Sequence, residues 1–98
     1  MTFIQLVEFT TTNVDQIREV GEQFRRETEG KRTNLRSMIC ADRDTPNRYV
    51  VVAEFPSYEE AMVNSNLPET QAFAAAMSEL VDGPPSYRNL DVIESWDG

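Results

Sequence analysis

The chain has 98 residues, 40% of them hydrophobic, and its 17 acidic and 9 basic side chains leave a formal net charge of -8. That size fits one domain with one core, and the acidic balance argues against a nucleic-acid backbone or an anionic membrane surface as partner. A lone cysteine, Cys40, excludes an internal disulfide, and with a mean hydropathy of -0.49 no run approaches the roughly eighteen apolar residues of a membrane span. Without a basic, apolar leader at its start, the cytoplasm is the expected compartment. The charge is lopsided: from Glu54 onward only Arg88 is basic, so the second half presents an acidic, solvated surface.

Phe3 to Thr10 (FIQLVEFT) is rich in β-branched and aromatic residues with apolar positions on both faces, which predicts a buried strand. Thr12 or Asn13 offers an N-cap, and Val14, Ile17, Gly21, Phe24 and Thr28 follow at helical spacing to about Glu29, where Gly30 supplies the stop. Asn34 to Arg43 and Arg48 to Phe55 read as a hairpin around the turn residues Asp44-Thr45-Pro46-Asn47. Pairing across that turn sets Ile39, Ala41, Val50 and Val52 on one face and Arg36, Met38, Cys40, Tyr49, Val51, Ala53 and Phe55 on the other, with a slip of one residue exchanging some of them. Ser57, with Glu60 three residues on, reads as a capping box for a short helix that Asn64-Ser65-Asn66 breaks. Pro68 then starts another helix with Phe73, Ala74, Met77, Leu80 and Val81 on one stripe, ended by Gly83-Pro84-Pro85. Tyr87 to Trp96 (YRNLDVIESW) alternates as a final strand.

The order βαββαβ predicts an α+β, ferredoxin-like domain spanning residues 1–98, with a four-stranded antiparallel sheet and helices on one face. Helices cover only one face, so the apolar residues of the other need a second sheet. This predicts a homodimer, a two-chain α/β barrel with a pocket on the concave face of each sheet.

Glu54-Phe55-Pro56-Ser57-Tyr58-Glu59-Glu60-Ala61, followed by Leu67-Pro68-Glu69-Thr70-Gln71-Ala72-Phe73, resembles the middle of the antibiotic biosynthesis monooxygenase-like family of dimeric α/β barrels, and the element order extends the resemblance over nearly the whole chain. The resemblance implies a range of functions: cofactor-independent oxygenases acting on phenolic or quinone-like substrates, haem-degrading enzymes, and members without known activity. The broken helix in that family often carries histidine, whereas Asn64 and Glu69 stand near those positions here. The chain has no histidine at all, which disfavours haem ligation through imidazole and leaves no recognisable metal spacing, so neither cofactor nor metal is expected.

The barrel pocket is the expected place for a small aromatic ligand, lined by Phe3, Arg36, Met38, Cys40, Tyr49, Phe55 and Trp96. Asn64 is the candidate to polarise a substrate oxygen or stabilise an oxyanion, and Arg36 the candidate anion partner. Each has an ordinary reading beside it: core or dimer packing for the aromatics and Met38, a salt bridge for Arg36, a helix stop for Asn64, a small buried hydrophobe for Cys40. Glu8 and Glu54, read first as exposed strand ends, are otherwise a candidate carboxylate pair at matching strand ends, and Tyr49, Tyr58 and Tyr87 are candidate hydrogen-bond donors or, equally, dimer anchors. Arg25, Arg26, Lys31, Arg32 and Arg36 form a basic cluster interrupted by Glu27 and Glu29, read as a solvated helix end. The functional expectation is a small-molecule-binding dimer that oxidises or rearranges an aromatic or quinone-like substrate without a cofactor. A non-catalytic binding or interaction module with a packed dimer core is the alternative, and a stress-response or regulatory partner protein the third reading.

Overall fold

The computed structural model describes all 98 residues and runs β1 (Phe3–Thr10), α1 (Val14–Glu27), β2 (Arg36–Ala41), β3 (Arg48–Phe55), α2 (Tyr58–Ser65), α3 (Pro68–Ser78) and β4 (Ser86–Asp91). The strands make one antiparallel sheet in the order β2-β3-β1-β4, the ferredoxin-like arrangement with its second helix in two pieces. No helix is long and apolar enough to cross a membrane.

Local chemistry sets the helix ends. Asn13 caps α1 without a side-chain bond. The buried Thr11 hydroxyl does that work instead, accepting the Asn13 N–H at 2.9 Å and donating to the Leu80 carbonyl at 2.5 Å. Thr28 closes α1 by donating its hydroxyl to the Phe24 carbonyl, and Gly30 at φ 82° turns the chain away. Ser57 Oγ accepts the Glu60 N–H at 3.1 Å, the first half of the expected capping box, and Pro68 fills the first position of α3, where its missing N–H costs nothing.

The core lies between the sheet and the helices as two separate clusters. One joins Phe3 and Phe55 to Ala61 of α2. The other joins Phe9 to Ile17 of α1 and Met77 of α3, with Val7, Tyr49, Val51, Phe73, Leu80 and Val81 against it. Ala74, expected on the same stripe, is exposed: α3 turns only a narrow face inward and ends at Ser78, so Leu80 and Val81 pack from the following turn.

The hairpin register differs by one residue from the sequence expectation. Arg36, Met38 and Cys40 oppose Glu54, Val52 and Val50, so they share a face with those residues and not with Tyr49, Val51, Ala53 and Phe55. The connection is six residues, Asp42 to Asn47, not four. Asp42 Oδ1 accepts the N–H groups of Asp44 and Thr45, Asn47 adopts φ 63°, and its carbonyl receives the Thr11 N–H. These bonds fix a longer, asymmetric loop, and a one-residue slip exchanges the faces. Consequently Phe3, Tyr49 and Phe55 point to the helices, while Ile4, Leu6, Glu8, Met38, Cys40, Val50, Val52, Glu54, Arg88 and Leu90 form the opposite face, which nothing in the chain covers.

One further expectation is corrected and one alternative reading is removed. The last strand stops at Asp91, because only residues as far as that one pair with β1, leaving Val92 to Gly98 as a tail. Glu8 and Glu54 are not a carboxylate pair. The strands run antiparallel, so Glu54 opposes Ile4 while Glu8 opposes Val50, and each carboxylate holds its own arginine: Arg36 on Glu54 at 3.1 Å, Arg48 on Glu8 at 3.5 Å.

Candidate functional site: a polar row between two apolar clusters

The gap between the two clusters has a cause in the sequence. Positions in register across the helix-facing side of all four strands are Ser37, Ala53, Gln5 and Asn89. Three of the four are neutral hydrogen-bonding residues, in line with inward-facing Phe3 on one side and Val7 on the other. Gln5 Nε2 donates to Asn89 Oδ1 at 3.4 Å, and Asn34 Nδ2 donates to Ser37 Oγ at 3.0 Å. Gln5 is half-buried while Ser37 and Asn89, on the edge strands, are exposed, so the row runs from the sheet centre out to solvent and keeps the apolar clusters on either side from merging.

The helices contribute more of the same chemistry. Asn64 lies three residues after Ala61, on the side of α2 that packs on Phe3 and Phe55. Its Oδ1 accepts the Thr33 N–H at 3.3 Å, and Thr33 in turn donates its hydroxyl to the Glu60 carbonyl at 2.6 Å. The carbonyl side of Asn64 therefore straps the loop before β2 to α2, while its amide nitrogen stays free to donate. The same loop is tied to the first turn of α3 by the Lys31–Glu69 ion pair, which holds the Glu69 carboxyl below its ordinary range through the hydrogen bond from Lys31. Thr70 follows Glu69 on the stripe of Phe73 and Met77. Its Oγ1 and the Oδ1 of Asn34 are buried with their hydrogen-bonding capacity unused by the protein. No ionisable side chain belongs to the row, so the arrangement suits recognition of neutral or weakly acidic oxygen and nitrogen groups by amides and hydroxyls.

The other residues singled out in the sequence are dispersed. Phe3 and Phe55 are core, and Tyr49 stacks on Phe9 with ring centroids 5.9 Å apart. Met38, the free thiol of Cys40, and Arg36 lie on the uncovered face. Arg36, with 71% of its side chain exposed, pairs with Glu54 and is on the other side of the sheet from Asn64. Trp96 stands exposed in the tail. Tyr58 packs edge-on against Phe3 at 5.4 Å, and Tyr87 is exposed. Four of the five basic residues Arg25 to Arg36 have separate duties: Arg26 meets Glu22, Lys31 meets Glu69, Arg32 donates to the Arg25 carbonyl and Thr28, and Arg36 meets Glu54. They form no shared anion site. An open apolar cleft of about 370 Å³ lies elsewhere, between the start of α1 and edge strand β2, lined by Val14, Arg18, Ile39, Ala41 and Tyr49.

Gln5, Asn34, Ser37, Thr70 and Asn89 did not emerge from the sequence reading. One signal pointed to Gln5 alone: in FIQLVEFT the inward parity runs Phe3, Gln5, Val7, Phe9, so an amide interrupts an otherwise apolar row.

No family model matches the chain, and no curated protein sequence matches it. Solved structures do. SnoaB, a cofactor-independent oxygenase from Streptomyces nogalater, superposes with a TM-score of 0.80 at 15% identity over 96% of this chain and 95% of that one; that structure is of a variant with an asparagine replaced by alanine. A candidate antibiotic biosynthesis monooxygenase from Caulobacter crescentus CB15 gives 0.82 at 14% identity over 95% and 91%, and another from Nitrosomonas europaea gives 0.78 at 12% over 94% and 90%. The chain has the fold of the antibiotic biosynthesis monooxygenases. At these identities the likeness is one of fold.

Proposed function

We propose that the chain is a homodimeric small-molecule-binding protein that holds an oxygenated aromatic, phenolic or quinone-like, against the row Ser37–Gln5–Asn89 and oxidises it without a cofactor. The observation that carries this reading is the hydrogen-bonding row between two apolar clusters, with α2, which packs on one of those clusters, carrying Asn64, whose amide nitrogen has no partner within the protein. A flat ring has apolar walls on both sides there, and its oxygens meet amides and hydroxyls. The Asn64 amide donates to the ligand oxygen on which negative charge develops. Because the row holds no base, a phenolic ligand loses its proton to water, and the phenolate ring gives four electrons to dioxygen, one oxygen atom replacing a ring C–H as a carbonyl and the other leaving as water with the two hydrogens lost, so that a phenol and dioxygen become a quinone and water. The protein's part is to orient the ring and stabilise the anion.

The dimer rests on surface area. A globular monomer of 11.2 kDa exposes about 5,700 Å², whereas this chain exposes 6812 Å², about 1,100 Å² more. A standard interface covers about 800 Å² per partner, and the uncovered sheet face offers the apolar patch for it: Ile4, Leu6, Met38, Val50, Val52 and Leu90. Arg36–Glu54 and Arg48–Glu8 frame that patch as polar rim.

The test separates the two ends of one amide. Asn64→Asp keeps an acceptor for the Thr33 N–H and removes the donor, so the fold and its thermal midpoint hold while turnover of a retained or assayed phenol falls about 100-fold or more. Asn64→Ala loses both functions, adding roughly 1 kcal/mol of destabilisation. Turnover undiminished in Asn64→Asp would remove Asn64 from the chemistry. Tight binding without oxygen consumption in the native protein would leave a binding module in place of an enzyme.

A further inference from the structure

Asn34 stands between the two halves of the candidate site. Its chain neighbour Thr33 gives its N–H to Asn64 Oδ1 on α2, and its own Nδ2 donates to the Oγ of Ser37, the β2 member of the polar row. Ser37 pairs with Ala53, which packs on the Phe3–Phe55–Ala61 cluster, so this link runs beside one of the two apolar clusters. The other end of the Asn34 amide is idle: Oδ1 is buried and accepts from no group of the protein. With Nδ2 committed to Ser37, Asn34 presents an acceptor there and nothing else. Thr70 Oγ1 is the second buried atom without a partner, on the first turn of α3, which the Lys31–Glu69 ion pair ties to the same loop. A hydroxyl donates or accepts as its neighbour requires, whereas a carbonyl can only accept. A carbonyl buried away from water is destabilising until a donor reaches it.

We infer that Asn34 is a specificity-determining residue of this site: its Oδ1 accepts a hydrogen bond from a second hydroxyl of the ligand, one that keeps its proton while the phenol at Asn64 loses its own. The inference rests on the phenol-binding reading of the preceding section and narrows it. The two amides are complementary, because Asn64 offers a spare donor and Asn34 a spare acceptor, so the ring is read by two substituents of opposite hydrogen-bonding character. Ionising the second hydroxyl would set a negative charge against the Asn34 carbonyl, so the pair also decides which hydroxyl ionises. An ether or a ketone oxygen in the second position has no proton to give and leaves Oδ1 unpaired in the complex. Sites built to bond a hydroxyl reject analogues that lack it far more strongly than apolar pockets reject a missing methylene. Capping of that oxygen by alkyl or acyl transfer therefore has to follow this step and not precede it.

The test titrates the full chain by calorimetry with naphthalenediols, their mono-methyl ethers and the parent naphthol, without oxygen so that no turnover intervenes. The expected result is that the best diol binds about 10-fold or more tightly than both its methyl ether and the naphthol. Asn34→Leu, which has no acceptor, removes that preference. Asn34→Asp preserves it, since one carboxylate oxygen replaces Oδ1 while the Ser37 hydroxyl donates to the other. If circular dichroism shows Asn34→Leu unfolded, the native ratio and its retention in Asn34→Asp decide the matter. Equal affinities for diol, ether and naphthol assign the donor to a resident water and overturn the inference. Tighter binding of the ether overturns it too, by turning the amide round, and so does a diol preference that survives in folded Asn34→Leu. A diol bound with the expected preference but left unoxidised when oxygen is admitted sinks the oxygenase reading and leaves the role of Asn34 standing. Oxidation of diol, ether and naphthol without preference does the reverse, and a protein that binds none of them overturns both.

Discussion

Gln5 carries a conflict between stability and use. It stands at an inward position of a central strand, between Phe3 and Val7, where an apolar side chain would join the two core clusters. An amide there satisfies itself with Asn89 at 3.4 Å, a long bond that contributes little to stability. Gln5→Leu is therefore expected to raise the thermal midpoint, by the order of 1 kcal/mol of added burial, and to abolish ligand retention in native mass spectrometry. A variant that is stabilised and still retains the ligand would show that the row is not the recognition element. Asn64 divides its labour differently: one end of its amide holds the Thr33 loop, the other is spare, and a single substitution to Asp distinguishes them.

At the scale of elements, the segment from Thr28 to Leu35 is a strap laid across the helix layer. Thr28 ends α1, Thr33 bonds Asn64 and Glu60, Leu35 donates its N–H to the Glu54 carbonyl at 2.7 Å, and Lys31 reaches Glu69 on α3. The strap thus ties α2 and α3 to the end of α1 and the start of β2. Its ionic tie has a predictable pH dependence. The folded state holds the Glu69 carboxyl below its ordinary value of 4.5, so the stabilisation is complete above that value and is lost as the pH falls through the lower, folded one. The difference in thermal midpoint between the native chain and Glu69→Gln should be largest at neutral pH and vanish in acid. A difference that persists undiminished in acid would assign the effect to packing. Both partners are partly exposed, and the effect should also shrink with salt.

For the whole molecule, the sheet separates two kinds of surface. Its helix-facing side is covered within the chain, and the other side is half-buried at the central strands and exposed at the edges. Val52 sits at the middle of that second side, between Met38 and Leu6. Val52→Asp places a charge where the proposed interface is driest, and the expected outcome is a folded monomer by sedimentation with unchanged circular dichroism. A dimer of undiminished affinity would move the interface to another face.

The element order, the antiparallel hairpin, the break of α2 at Asn64-Ser65-Asn66 and the start of α3 at Pro68 were legible because they depend on short-range chemistry, namely caps, a fixed proline φ and hydrophobic period, while α1, expected to run to about Glu29, ends at Glu27. The lack of histidine was equally plain. The candidate site was only partly legible. Asn64 could be singled out from the broken helix, but Gln5, Ser37 and Asn89 become a row only when three strand pairings set them in register. That register turned on the Asp42–Asn47 loop, whose length is decided by Asp42 bonding its own backbone and by Asn47 accepting from Thr11 on another strand. Sequence by itself determined which elements form and in what order, through local backbone chemistry; only the tertiary structure decided which residues face the helices and which face outward, because a side-chain period of two makes that choice depend on a single residue of register set by contacts distant along the chain.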